Sequence, residues 1–203
     1  MDFPSGPFRV DVAGLREADS LVAERLLVNL LLDVFVAADV RVDHEVRAAA
    51  VALTLPARLL RAGAVVTQVA AAWLWCGGPA PPYVDVVQQR GQGRVSRPGV
   101  VLHERRIDPV DVADVGDLIV TTPARTAADL LRTGHPERAE NCLRALMMHT
   151  GLTLRDVAAT LERMPRMRGV ARARELLGQC SETVPPVPLA AEGHQSMRLP
   201  VTR

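Results

Sequence analysis

Between Val115 and Arg132 the chain reads Val-Gly-Asp-Leu-Ile-Val-Thr-Thr-Pro-Ala-Arg-Thr-Ala-Ala-Asp-Leu-Leu-Arg. This stretch constrains the fold more than any other. Leu118 to Thr121 has the profile of a short buried strand. Thr122 is a good helix N-cap, because its hydroxyl can accept from the free amides of a first turn. Pro123 suits the first helical position, where a missing N–H costs nothing. Ala127, Leu130 and Leu131 then form an apolar stripe. A strand running straight into a capped helix demands a sheet for the one and a packing partner for the other.

With 203 residues the chain holds one domain of ordinary size, or a small domain plus a tail. Hydrophobic residues make up 48% and aromatics only 3%, so the core must be built from Ala, Val and Leu, with Trp73 and Trp75 as its few large anchors. The net charge of +1 argues neither for nor against a nucleic-acid partner. Cys76, Cys142 and Cys180 stand too far apart for a zinc motif or a disulfide framework and read as reduced thiols. The apolar run Leu26 to Ala38 carries Asn29 and Asp33 and is too short to span a bilayer. The N-terminus has no signal-peptide pattern, and a cytoplasmic protein is expected.

The spacing predicts a short helix over 20–29 and a strand over 30–36. Asp43 caps a helix to about Leu55, with Val46, Ala49, Ala50 and Leu53 on one face and Pro56 as its stop. A strand at 64–66 leads to a helix over 68–76, with Thr67 as its cap and Gly77 as its stop. Residues 83–88 alternate as a strand, 89–99 read as a loop or hairpin tip, 100–105 as a further strand and 109–116 as a connector. Helices follow over 123–133, 137–149, 153–163 and 169–178. Thr153 and Asp156 have the spacing of a capping box. From residue 180 the chain loses periodicity and gains prolines.

Two arginine groups are candidate contacts for phosphate or an acidic partner. Arg90, Arg94, Arg97, Arg105 and Arg106 face a single acid, Glu104, across residues 88–106; a solvated loop is the plainer account. Arg163, Arg166, Arg168, Arg172 and Arg174 form a denser run without an acid, and their spacing predicts Arg168 and Arg172 on one helix face. Residues 1–60 carry six Arg against nine Asp and Glu, a poor electrostatic footprint for DNA. Arg125 precedes Asp129 by four residues, which allows a local ion pair and a structural role. His103 and Asp85 stand on strands that are candidates for neighbours. No nucleophile triad, P-loop, dinucleotide fingerprint or metal-ligand spacing is present. No catalytic or metal residue and no cofactor is therefore expected. The Met147–Met148 helix is a candidate packing or partner face.

Four ordered stretches resemble a family of actinobacterial proteins related to the AbiEi antitoxins of type IV toxin–antitoxin systems. They are Leu32-Asp-Val-Phe-Val36, Val65-Val-Thr-Gln-Val-Ala-Ala-Ala-Trp-Leu74, Pro98-Gly-Val-Val-Leu-His-Glu-Arg105 and Thr121-Thr-Pro-Ala-Arg-Thr126. The resemblance covers about Phe8 to Gly178, and its last motif is the most specific. It implies an N-terminal winged helix that represses its own promoter, followed by a domain opposing a nucleotidyltransferase-like toxin. Many relatives continue into a very-short-patch-repair-like endonuclease. Ser181-Glu-Thr-Val-Pro looks like the approach to that domain, but Pro185 and Pro186 break it, and Glu182 and Glu192 alone cannot form its metal-binding carboxylate cluster.

The expected fold is α/β (α+β). It comprises a degenerate winged-helix-like segment over 1–42 and an AbiEi-like domain over 43–179, in which a small mixed sheet is packed by helices and the C-terminal half is helical. A disordered tail over 180–203 completes it. The small sheet is expected to take the strands near 31–36, 64–66, 83–88, 100–105 and 118–121. The expected function is a non-catalytic, antitoxin-like transcriptional regulator whose partners are DNA and a toxin, with no membrane. A non-catalytic accessory remnant of an endonuclease fusion, or a scaffolding protein, are the alternatives. Arg163, Arg166, Arg168, Arg172, Arg174, Arg90, Arg94 and Arg97 are its candidate nucleic-acid contacts.

Overall fold

The computed structural model describes residues 6–10, 14–88, 97–164 and 166–183. The fold is mixed α/β with two sheets. The first is antiparallel and holds β1 (Phe8–Arg9), β2 (Leu27–Leu31) and β3 (Val34–Ala37) in the order β1-β3-β2. The second holds β4 (Val65–Thr67), β5 (Val84–Gln88), β6 (Val100–Glu104), β7 (Val112–Val115) and β8 (Leu118–Thr121) in the order β6-β5-β4-β8-β7. It is mixed: β4 runs parallel to β8 and β5 to β6, whereas β4–β5 and β7–β8 are antiparallel. The helices are α1 (Leu15–Ala23), α2 (His44–Thr54), α3 (Ala57–Arg61), α4 (Gln68–Cys76), α5 (Pro123–Thr133), α6 (Pro136–Thr150), α7 (Leu154–Glu162) and α8 (Val170–Thr183).

Local chemistry sets most helix ends. Asp43 accepts from the amides of Glu45 and Val46, both at 3.0 Å, and starts α2. Thr153 and Asp156 form the expected reciprocal capping box on α7. Gly151, at φ +70°, gives α6 the left-handed stop that a side chain resists.

Several expectations need correction. Residues 30–36 are a hairpin, not one strand: Leu32 adopts φ +52°, and the Asn29 side chain holds the turn by donating to the Leu32 carbonyl at 3.0 Å. These strands form their own sheet and do not join the larger one. The first helix lies over 15–23, because the chain turns at Arg25 (φ +60°) and enters β2. The connector over 109–116 contains a 3-10 turn (Pro109–Asp111) and the edge strand β7. On α2 the buried face is Ala48, Ala50, Val51 and Thr54, while Leu53 is exposed; a helix rich in Ala and Val all round gives little contrast between faces. Thr67 makes no side-chain cap bond to α4, since Gln68 opens that helix at φ +58°. Helix α8 continues to Thr183, so Cys180 is a buried helical residue and not the start of a tail. The expected disorder of the remaining tail lies outside the described residues.

Two cores meet at α4. One packs the second sheet's Val66, Val84, Val86 and Val120 against α2 and against Trp73 and Leu74 of α4, and takes in Leu31, Val34 and Val36 of the β2–β3 hairpin. The other lies among α5, α6, α7 and α8. There Leu131, Leu143, Leu146 and Leu161 are fully buried, each stabilising by roughly 1.5–3 kcal/mol. Helix α5 is central to this half, and its residues from Arg125 to Arg132 are all buried.

Candidate functional site

A single residue separates β8 from α5, and side chains from both elements fasten the junction. Thr122 accepts from the Arg125 amide at 3.3 Å. The Thr126 hydroxyl lies 2.7 Å from the Thr121 hydroxyl and donates to the Thr121 carbonyl at 3.1 Å. The Trp75 indole N–H donates to that same carbonyl at 2.9 Å, tying α4 to the junction. The hydroxyls are consumed in holding the backbone.

Beneath the junction four guanidinium groups converge on two carboxylates. Arg125, 3% exposed, donates from Nε to Asp129 Oδ2 at 2.9 Å and from Nη1 to Asp111 Oδ2 at 2.7 Å. Arg132 donates from Nη2 to Asp129 Oδ1 at 2.9 Å, and Arg105 Nη1 stands 3.7 Å from the same oxygen. Arg163 donates from Nη2 to Asp111 Oδ1 at 2.6 Å. Asp111 and Asp129 are 1% and 0% exposed. Both carboxylates need these partners, because an unpaired buried charge costs several kcal/mol.

Donors exceed acceptors in this cluster. Arg125 Nη2, Arg105 Nε and Arg132 Nε are buried without a hydrogen-bond partner among the described residues. Burial lowers the pKa of Arg105, with the attraction of Asp129 offsetting it in part. Burial also opposes the charge on Arg125, but attraction to Asp129 and hydrogen bonds to Asp111 and Asp129 outweigh it and raise its pKa.

Above the cluster opens a cleft of about 370 Å³. Arg106, Arg125, Arg163 and Arg166 line it opposite Asp108 and Asp111, and Pro109, Met164 and Met167 supply its apolar surface. Arg106 and Arg166 are exposed and make no hydrogen bond or ion pair among the described residues.

The run from Arg163 to Arg174 is not the shared helix face that the spacing predicts. Arg168 precedes α8, and its carbonyl accepts from Arg132 Nη1. Arg172 donates to the Gly134 carbonyl at 2.7 Å, and Arg174 pairs with Glu162 at 3.0 Å. Arg172 and Arg174 are thus engaged within the helical half. Arg163 spans both roles, pairing with Asp111 while its side chain stays 43% exposed. Arg97 is drawn to the other end of the molecule, 3.5 Å from Asp33, which also binds Arg9 at 2.6 Å. Arg90 and Arg94 lie outside the described residues.

The Arg125–Asp129 pair is present as expected. His103 Nε2 lies 2.8 Å from Asp85 Oδ1 on the neighbouring strand, also as expected. The sequence pattern does not single out Asp111 or Arg132, and Arg105, which the pattern groups with the arginines of 88–106, belongs instead to the Asp129 cluster. The spacing of Arg132 three residues after Asp129 was a usable signal; nothing near Asp111 announced a contact with Arg163, 52 positions away.

No protein-family model matches the chain, and no curated protein matches it.

Proposed function

We propose that this chain is a non-catalytic regulatory protein of the AbiEi-like antitoxin kind, acting in the cytoplasm on its own promoter DNA and against a nucleotidyltransferase-like toxin. The observation that carries this reading is the fate of the most specific motif. Thr121, Thr122, Arg125 and Thr126 are spent on internal bonds that build the β8–α5 junction. The motif is therefore a structural signature, and the functional groups left over are the cationic side chains around it.

The first sheet adds support. A strand, a helix and a hairpin in the order β1-α1-β2-β3, with β3 in the middle of the sheet, match the strand–helix–wing portion of a winged helix. Helix α1 exposes Glu17 and Asp19 beside Arg16, so it repels phosphate where a recognition helix attracts it. In this reading the DNA contact is instead the face carrying Arg106, Arg163 and Arg166. Among the described residues, no helix is long and apolar enough to cross a membrane.

The test is a salt series of binding to DNA upstream of the gene, with unrelated DNA as control, beside co-expression with a candidate toxin. Tighter binding to the upstream fragment, weakening as salt rises, supports a repressor. Failure to bind any DNA at low salt together with failure to neutralise a toxin refutes the reading.

A further inference from the structure

We infer that the cleft between the loop after β6 and the turn after α7 is a binding site for a phosphate-type oxyanion. The inference holds whether or not the chain is an antitoxin, because it rests on the charge balance of the cleft itself. Four guanidinium groups line the cleft against two carboxylates. Both oxygens of Asp111 are already occupied, by Arg125 and by Arg163. Behind the wall, Arg105 and Arg132 share the one carboxylate of Asp129 with Arg125. The positive charge of the buried wall, where Arg105, Arg125 and Arg132 outnumber their carboxylates, is thus left partly uncompensated in a place where water screens it poorly, and the exposed Arg106 and Arg166 add to it at the rim.

A second observation points to the same ligand. Arg125 is 3% exposed and lines the cleft, yet its Nη2 has no acceptor among the described residues. Buried donors are almost always satisfied. An anion seated against this wall supplies the negative charge that the Arg125 guanidinium lacks, acting across the short distance to the enclosed Nη2.

Geometry narrows the ligand class. Arg106, on the loop after β6, and Arg166, on the turn after α7, offer fork-shaped donor sets without partners among the described residues, while Arg163 beside them already donates to Ala159, Asp111 and Thr160. A planar carboxylate has two oxygens and is satisfied by one guanidinium fork. A phosphate group presents tetrahedrally arranged acceptor oxygens, three with up to two negative charges in a monoester and two with one charge in a backbone diester, and so accepts forks arriving from both sides of the cleft. A volume of about 370 Å³ exceeds one phosphate, and Pro109, Met164 and Met167 provide an apolar surface for the group that the phosphate esterifies. The ligand is a phosphate ester, either a small molecule or one phosphate of a nucleic-acid backbone.

The probes are inorganic phosphate, a nucleoside monophosphate and a short DNA duplex, titrated calorimetrically against the whole protein at each of several ionic strengths. Arg106→Gln/Arg166→Gln is the informative variant, since neither side chain holds the fold; its unfolding curve checks that. Phosphate is expected to bind the unaltered protein, and the double variant to bind at least about tenfold more weakly, as loss of charge-assisted hydrogen bonds requires. Asp108→Asn keeps the oxygen that accepts from the Val110 amide and removes rim repulsion, so it tightens binding. Preference for the monophosphate over the duplex assigns the site to a small molecule. Preference for the duplex, with a salt slope about 1 lower in the double variant, assigns it to a nucleic-acid backbone. Absence of phosphate binding, or equal affinity in the double variant, overturns the inference. Neither result bears on toxin neutralisation, which tests the regulatory proposal separately.

Discussion

Asp129→Asn is the sharpest test of the buried charge cluster. The replacement keeps the side chain's shape and one carbonyl oxygen but removes the charge that faces Arg125 and Arg132, each at 2.9 Å, and Arg105 at 3.7 Å. It also points an amide N–H₂ at a guanidinium. Arg125 keeps Asp111 as a counter-charge, whereas Arg132 has no other carboxylate partner among the described residues. Removing one partner of a buried ion pair costs about 3–5 kcal/mol, a large part of the roughly 5–15 kcal/mol that holds a domain together. With a urea dependence of about 2–3 kcal/mol per molar, the midpoint falls by about 1–2.5 M. Tryptophan fluorescence reports the transition, because Trp75 is bonded to the junction above the cluster. Glu140→Gln is the control: its pair with Arg144 is at least 40% exposed on both sides, so its loss costs under about 1 kcal/mol. If Asp129→Asn shifts stability no more than the control, the cluster does not organise the helical half.

The other predictions concern packing and titration. Gly169→Ala is expected to destabilise by at least about 2 kcal/mol, because φ is +86° and the new Cβ would lie 2.5 Å from the Arg132 carbonyl; an unchanged melting temperature would contradict the docking of α8 on α5. Cys76 has its pKa raised to about 11, mainly by burial, then by Cys142, with Arg47 pulling it back. Its alkylation at pH 8 is therefore slower than that of an unfolded-state thiol, and mass spectrometry of the labelled protein measures the ratio. The unfolded thiol ionises first, near 9.0, so this group's contribution to stability is lost as pH rises from there toward about 11. Asp156 has its pKa lowered by the Thr153 hydroxyl and then by the Thr153 amide. Its contribution to capping α7 is full above the ordinary value of 3.8 and disappears as pH falls through the folded value; the amide protection factors at the start of α7, taken relative to the intrinsic exchange rate at each pH, fall on acidification in the protein but not in Asp156→Asn.

Much of the fold was legible because it is written in local chemistry. Helices with a cap and a stop, such as α2 between Asp43 and Pro56 and α7 behind its capping box, need only neighbours in sequence to define their ends. Strand β8 and helix α5 were legible for the same reason. The β2–β3 hairpin was not. Its turn is Leu32-Asp33, without the usual Asn-Gly or Gly signal, and β3 is buried on both faces, so no alternation marks it. Strand β7 did leave a signal, since Gly116-Asp117 joins it to β8 as a two-residue turn.

At the candidate site the sequence alone determined the pair that lies within one helix. Arg125 and Asp129 are four residues apart, and helical geometry brings them together wherever the helix goes. The chain has no lysine, so the sequence also determined that arginine, which stays charged at any physiological pH, would be the permanent cation wherever one was needed. Only the tertiary structure decided the rest. It brought Asp111 and Arg163 to the same end of α5, buried all of α5 from Arg125 to Arg132, and drew Arg172 and Arg174 into internal bonds while leaving Arg106 and Arg166 without partners among the described residues. The physical reason is that burial and long-range charge pairing depend on which elements pack together. That packing is set by the summed apolar area of several helices, which no local pattern around any one arginine records.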